Sequence, residues 1–364
     1  MKKVFVTFLA VASVIACTKS NVEFEETTEI GLKPVAHNVT KSMMIGESFD
    51  TKESFNVWAF YKQVDPGTSI ADWQAATNVE QTTYINEKEF INNDDTTWKG
   101  ATSYYWPKMG SLLFAGYYPT DIKNQVEYTF DANNNKMVIS NYKPDRVVPA
   151  KGETKTYTED LMYANMTLTS YSQNPVSLVF KHALSWITVK VKQSKVKQSE
   201  VGPKIIVDNV NFTNVYPQGT ATVDNMPVNN VSKGIEWVTA GTAASVPVLE
   251  ETRTVVVDDS EVKKVGYVLT TQDYTLAYEP LFIPQPMTTM VITYTIESGD
   301  GSSFQETKTV DLSGLKTDDI NNWEAGKHYT YTITIGTDEI LIAPEVTDWV
   351  PVEYDITPGV EAQL

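Results

Sequence analysis

The chain has 364 residues, enough for about two domains at roughly 150 residues each. Hydrophobic residues make up 41%, aromatic 11% and charged 21%, which excludes a disordered chain, and 18 Gly with 17 Pro exclude collagen-like sequence. A formal net charge of −17, with Arg146 and Arg253 as the two arginines, excludes a nucleic-acid binder, which needs clustered cations to displace phosphate counterions.

Residues 1–16 read as an address. Lys2 and Lys3 precede an apolar run from Val4 to Ile15. That run is too short to cross a bilayer, which takes about 20 residues, and fits the apolar stretch of a secretory signal peptide. Val14-Ile15-Ala16-Cys17 then has the pattern of a bacterial lipobox, and Cys17 is the one cysteine of the chain. No intrachain disulfide is open to it. The expectation is lipidation of Cys17 and attachment to the outer membrane by acyl chains, each buried CH₂ contributing about 0.8 kcal/mol. Without Lys2 and Lys3, 27 basic residues face 46 acidic ones, so charge does not draw the body onto an anionic surface.

Residues 17–29 follow as a tether. The stretch from Asn21 to Lys33 is acidic, with Glu23, Glu25, Glu26 and Glu29, and reads either as that tether or as a first strand. Beyond it strands dominate. In residues 186–192, Ile187, Val189 and Val191 alternate with Thr188, Lys190 and Lys192. Residues 291–296 and 329–335 alternate in the same way, the second with Tyr329, Tyr331, Ile333 and Ile335 on one face. Period-two alternation marks antiparallel sheets with one wet face. Turn clusters such as Asp65-Pro66-Gly67, Tyr216-Pro217-Gln218-Gly219 and Ser298-Gly299-Asp300-Gly301 separate the runs. Short helical turns are expected near 71–76 and 317–323. The fold class is all-β, with antiparallel β-sandwiches. The polar, Lys-rich stretch 196–203 is the expected boundary between an N-terminal sandwich (30–200) and a C-terminal one (201–364).

Chemistry is sparse. The sequence holds no HExxH, GxSxG, Walker A or GxGxxG motif. His182 and His328 lead into strands and read as hydrogen-bonded strand residues. Asp131-Ala132-Asn133-Asn134-Asn135 lacks the glycine and distal glutamate of a calcium loop and reads as a turn. Asp94-Asp95, Asp258-Asp259 and Asp318-Asp319 sit in polar turns. No catalytic residue, metal or cofactor is expected. Trp98 and Trp106 bracket a polar, Tyr-rich segment and are candidates for an exposed sugar-binding platform.

Several segments, taken together and in order, resemble the fimbrillin family, the subunits of type V pili. They include Tyr105-Trp106-Pro107 with Tyr118-Pro119, then Asp160-Leu161-Met162-Tyr163-Ala164, and Phe180-Lys181-His182. Leu281-Phe282-Ile283-Pro284-Gln285-Pro286 follows, and Trp323-Glu324-Ala325-Gly326-Lys327-His328-Tyr329 leads to a closing Val346-Thr347-Asp348-Trp349. The resemblance implies two tandem transthyretin-like β-sandwich domains. It implies a lipidated precursor at the outer membrane whose N-terminal strand, here around Ile30 to Val39, is removed by a protease. The emptied groove then takes a strand from the next subunit. The family's cut usually follows arginine, whereas this chain offers Lys41. A lysine-tolerant cut and an uncut, membrane-anchored subunit are both open. The donor is placed in the C-terminal segment 339–349 or later, with Ile340, Ile342, Val346 and Trp349, although the same residues read equally as the last hairpin of their own domain. The partners implied are other fimbrial subunits, in a homo- or hetero-polymer, an outer-membrane lipid anchor, and a host or bacterial surface receptor. The alternatives are a lipid-anchored surface glycan-binding protein and a non-polymerising anchor subunit.

Overall fold

The computed structural model describes residues 24–36, 54–92, 96–131, 134–144, 160–194, 203–228, 231–248, 252–257, 260–276, 281–314, 322–337 and 340–348. The first part of the chain gives β1 (Phe24–Glu29), β2 (Leu32–Ala36), β3 (Phe55–Lys62), α1 (Ile70–Ala75), β4 (Gln81–Asn92), β5 (Trp98–Gly100), β6 (Tyr105–Pro107) and β7 (Ser111–Tyr118). Next come β8 (Val126–Phe130), β9 (Asn135–Tyr142), β10 (Met162–Thr169), β11 (Val176–His182), β12 (Ser185–Gln193), β13 (Lys204–Val215), β14 (Gln218–Val228), β15 (Val231–Ala240) and β16 (Ala244–Pro247). The hairpin β17 (Thr252–Val257) and β18 (Ser260–Val265) precedes four two-residue strands: β19 (Tyr267–Val268), β20 (Tyr274–Thr275), β21 (Leu281–Phe282) and β22 (Gln285–Pro286). The chain continues with β23 (Thr289–Glu297), β24 (Ser303–Asp311), β25 (Asn322–Trp323), β26 (Lys327–Ile335) and β27 (Ile340–Asp348). The fold is all-β.

Seven strands close a barrel in the order β10-β11-β2-β5-β4-β3-β7. Its centre is filled by Phe55, Val57, Phe90, Trp98, Phe114 and Phe180, all buried. β3 and β7 are buried at every position. One face of β3 fills the barrel. The other carries Trp58 and Phe60, which pack with Met137, Ile139, Ala221 and Val223 of the sheet β15-β14-β9-β8. A strand covered on both faces reads as a continuous apolar run and not as alternation.

A second pair of sheets encloses its own core. One sheet runs β20-β12-β26-β27, and the other β16-β13-β23-β24. Ile187, Val189 and Val191 of β12 meet Val207, Val210 and Phe212 of β13 between them. The alternating residues 186–192, 291–296 and 329–335 all fall in these strands, with their apolar faces inward. Most pairing is antiparallel, but β12 runs parallel to β26 from Trp186↔His328 to Gln193↔Ile335. Periodicity sets which face is buried and leaves strand direction open.

The helical turn expected near 71–76 is α1, capped by the Ser69 side chain, which accepts from Asp72 N. Of the turn expected at 317–323, residues 317–321 lie outside the described residues, and Asn322–Trp323 is the strand β25. The boundary expected at 196–203 also lies almost entirely outside them. β12, before that stretch, joins the sheet of β26 and β27, and β14, after it, pairs with β9. Residues 24–29 form a strand and not a tether: β1 pairs antiparallel with β6 through Phe24↔Pro107 and Glu29↔Tyr105.

Candidate functional site: the strand that closes the barrel

β2 is the short stave that completes the barrel. Its sequence, Leu32-Lys33-Pro34-Val35-Ala36, alternates correctly for one buried face. Ile30, just before it, is 1% exposed and Leu32 is 0% exposed; Pro34 is also buried, while Lys33 is exposed. Burial of Ile30 and Leu32 contributes about 3–6 kcal/mol at roughly 1.5–3 kcal/mol per large aliphatic side chain.

The two edges of β2 are held unequally. On one side it runs parallel to β11 over five residue pairs, from Leu32↔Val176 to Ala36↔Phe180. Val176 N donates to Gly31 O at 2.9 Å at the start of that ladder. On the other side one pair, Leu32↔Trp98, joins it to β5. Gly31 sits where a Cβ would lie 2.6 Å from Thr97 Cγ2, so glycine permits the close approach of the two chains.

Polar contacts fix the segment before β2. Ile30 N donates to Tyr104 O at 2.7 Å. Lys99 Nζ pairs with Glu29 Oε2 at 2.9 Å. Burial opposes ionisation of Glu29, but bonds from Lys99 and Ser103 and the Lys99 charge outweigh it and hold the carboxyl below its ordinary range. Thr28 Oγ1 lies 3.1 Å from the Tyr171 hydroxyl.

At the far end of β11 stands a buried Asp–His pair. His182 Nδ1 meets Asp160 Oδ2, both side chains essentially without exposure. Burial pushes Asp160 upward, and the neighbouring His182 works against that shift. His182 is therefore a hydrogen-bonded strand residue. His328 is another: its ring stacks on Trp186 at 3.5 Å and 8°, with Nε2 2.9 Å from Thr188 Oγ1.

The other positions singled out in the sequence divide clearly. Ile340, Ile342 and Val346 lie on β27, which pairs along its length with β26. All three are half-buried against the second core, while Leu341 between them is 56% exposed. Cys17, Lys41 and Trp349 lie outside the described residues. Trp98 and Trp106 form no platform, being 2% and 1% exposed. Trp98 packs on Phe55 at 6.4 Å and Trp106 on Phe114 at 6.1 Å, both within the barrel core. Asp131 Oδ1 accepts from Asn134 N at 2.9 Å, a plain turn. Among the described residues, no group of three or more His, Cys, Asp or Glu is placed to hold a metal, and no helix is long and apolar enough to cross a membrane. β2 falls within the stretch Ile30 to Val39 that the family resemblance marks as the removable strand, whereas its neighbours β11 and β5 were not readable, since periodicity does not say which strands flank it.

A model of the fimbrillin-like family matches residues 59–349. Among solved structures, a fimbrial protein from Bacteroides vulgatus is 16% identical, with 88% of this chain and 99% of that one covered and a TM-score of 0.56. A candidate cell adhesion protein from Bacteroides uniformis is 17% identical over 88% and 99% of the two chains, with a TM-score of 0.45. The fimbrial anchor protein Mfa2 from Porphyromonas gingivalis is 12% identical over 90% and 100%, with a TM-score of 0.27. No curated protein matches.

Proposed function

Since the chain belongs to the fimbrillin-like family, we propose that it is a structural or adhesive fimbrial subunit of the cell surface that assembles by exchange of its N-terminal strand. One observation supports this most: β2 alone closes the barrel, with five pairs on one edge and one on the other. Loss of the segment through β2 opens a slot between β11 and β5 lined by apolar side chains. A strand from another subunit refills it, its backbone completing the ladder and its alternate side chains replacing Ile30 and Leu32. Until then the subunit covers its own edge and avoids aggregation. A head-to-tail contact that does not close on itself builds a fibre.

In this reading the chain is exported through residues 1–16, lipidated at Cys17 and held at the outer membrane. Cleavage follows Lys41 and frees the segment. The partners are further fimbrial subunits, in a homo- or hetero-polymer, and a surface receptor for the assembled fibre. No catalytic role is proposed. For the donor, Ile340, Ile342 and Val346 are engaged in their own sandwich, so their release sacrifices packing. The alternation continues past Trp349 in Val350, Val352, Tyr354 and Ile356, and this later stretch is the better donor. Should Lys41 stay intact, the same chain serves as a non-polymerising anchor subunit.

The test is the N-terminus of the protein recovered from surface fibres, read by mass spectrometry. A free N-terminus just past Lys41 is expected. Triacylated Cys17 throughout the assembled material would overturn processing and leave the anchor reading.

A further inference from the structure

A cleft of about 580 Å³ opens at the ends of β3, β4, β6, β7 and β10. Four segments build it, residues 78–80 before β4 and three turns. The first runs Asp65-Pro66-Gly67, where Thr68 N donates to Asp65 O at 3.2 Å and its hydroxyl donates to the same oxygen at 2.6 Å. The second is Lys108-Met109-Gly110. Gly110 has φ +84° there, and a Cβ would stand 2.6 Å from Lys62 O, so glycine alone permits this turn. The third carries Ser170 and Tyr171, with Ser170 Oγ 3.0 Å from Ser111 Oγ.

The lining has a specific chemistry. Tyr171 is 45% exposed and Met109 57% exposed. The Tyr171 ring is not loose: it stands edge-on to buried Trp106 at 6.4 Å and 70°, and its hydroxyl is held by Thr28. An aromatic ring and a thioether thus both line the cleft. Gln63, Asp65, Asn78 and Glu80 line the cleft with them. Glu80 Oε1 is closed off from solvent and accepts no hydrogen bond among the described residues. Two carboxylates against one cation, Lys108, disfavour an anionic guest. The volume is that of an ordinary small-ligand site.

We propose that this cleft binds a neutral or amine-bearing sugar unit, with a C–H face of the ring laid on Tyr171 and Met109 and its hydroxyls donated to Glu80 and Asp65. Carboxylates and amides pair with adjacent hydroxyls, while the ring's apolar face needs a flat partner. The site would give the unprocessed subunit a glycan specificity, since Thr28 of the N-terminal segment helps to hold the Tyr171 hydroxyl.

The test is titration calorimetry of the full chain with glucose, galactose, mannose, N-acetylglucosamine and N-acetylneuraminic acid, using thermal unfolding to check each variant. At least one neutral or amino sugar is expected to bind, and the acidic sugar is not. Tyr171→Ala should weaken binding about tenfold or more, the scale of a lost aromatic contact. Glu80→Gln, which keeps the shape, should weaken it about tenfold. Tyr171→Phe keeps the ring and should bind within about threefold of the parent. Absence of binding by every neutral and amino sugar overturns the proposal. Preferential binding of the acidic sugar overturns the ligand class. Unchanged affinity in Glu80→Gln and Tyr171→Ala overturns the location; if Tyr171→Ala fails to fold, Glu80→Gln decides alone.

Discussion

Lys62 Nζ donates to the carbonyl oxygen of Trp73 at 2.9 Å, from the middle of the molecule, with no part of Lys62 exposed. It also donates to Gln74 O and Ala76 O, each at 2.9 Å, and stands 4.8 Å from the centre of the Trp73 ring. These carbonyls belong to the end of α1, where helix oxygens lack intrahelical partners and a cation is favoured. Burial alone pushes the ammonium downward from its ordinary value.

Lys62→Met keeps the stem and strands three buried acceptors. A loss of about 2–4 kcal/mol is expected, read as a lower urea midpoint with unchanged slope. A midpoint within error of the parent would mean that water replaces the ammonium.

Leu32→Ala is expected to cost about 2–5 kcal/mol of local stability, as for other buried leucines. The loss should be felt first as release of the N-terminal segment, because β2 has one weak edge. Limited trypsin digestion should then cut the variant after Lys41 well before the rest of the chain, since Pro34 protects the bond after Lys33. Lys33→Ala, on the exposed side of the same strand, should leave the digestion rate of the body unchanged.

What the sequence disclosed depended on solvent. β12, β23 and β26 have one wetter face, so their alternation was visible and their inward residues were read correctly. β3 and β7 are covered on both faces, and their runs FNVWAFYK and SLLFAGYY carry no period. The acidic residues of 24–29 masked a strand, because its partner β6 was unknowable from composition. Trp98 and Trp106 sit among polar neighbours in sequence and yet inside the barrel in space. The cleft at Tyr171 was invisible for a further reason: its walls come from four separate segments of the chain, 63–66, 78–80, 107–110 and 170–171.

The Asp160–His182 pair closes the end of β11, two residues past the last β2 pair at Phe180. Removing one member leaves the other polar group buried without its partner, so Asp160→Ala or His182→Ala should each cost about 1–3 kcal/mol. The double variant should cost clearly less than the two losses added together, because it leaves no unpaired partner. Denaturant unfolding of the three variants measures the difference. Strict additivity would mean that the two groups do not act as a pair.

His328 supplies a pH dependence whose sign follows from its surroundings. Burial, and secondarily the Lys190 charge, pull its pKa from 6.5 down to about 4. A histidine neutral in the folded chain and protonated in the unfolded one makes the unfolded state bind more protons between those values. Stability therefore falls as pH drops from about 6.5 toward 4. The group is partly open to solvent, so the expected loss from this residue is about 2 kcal/mol at most. His328→Phe retains the stack on Trp186 and removes the titration. The parent's urea midpoint should drop more than the variant's between pH 7 and pH 4.5, the difference isolating His328 from the other groups that titrate in that range. Equal drops would place the histidine's proton in the folded state as well, and with it a bond to Thr188 that runs from the ring to the hydroxyl.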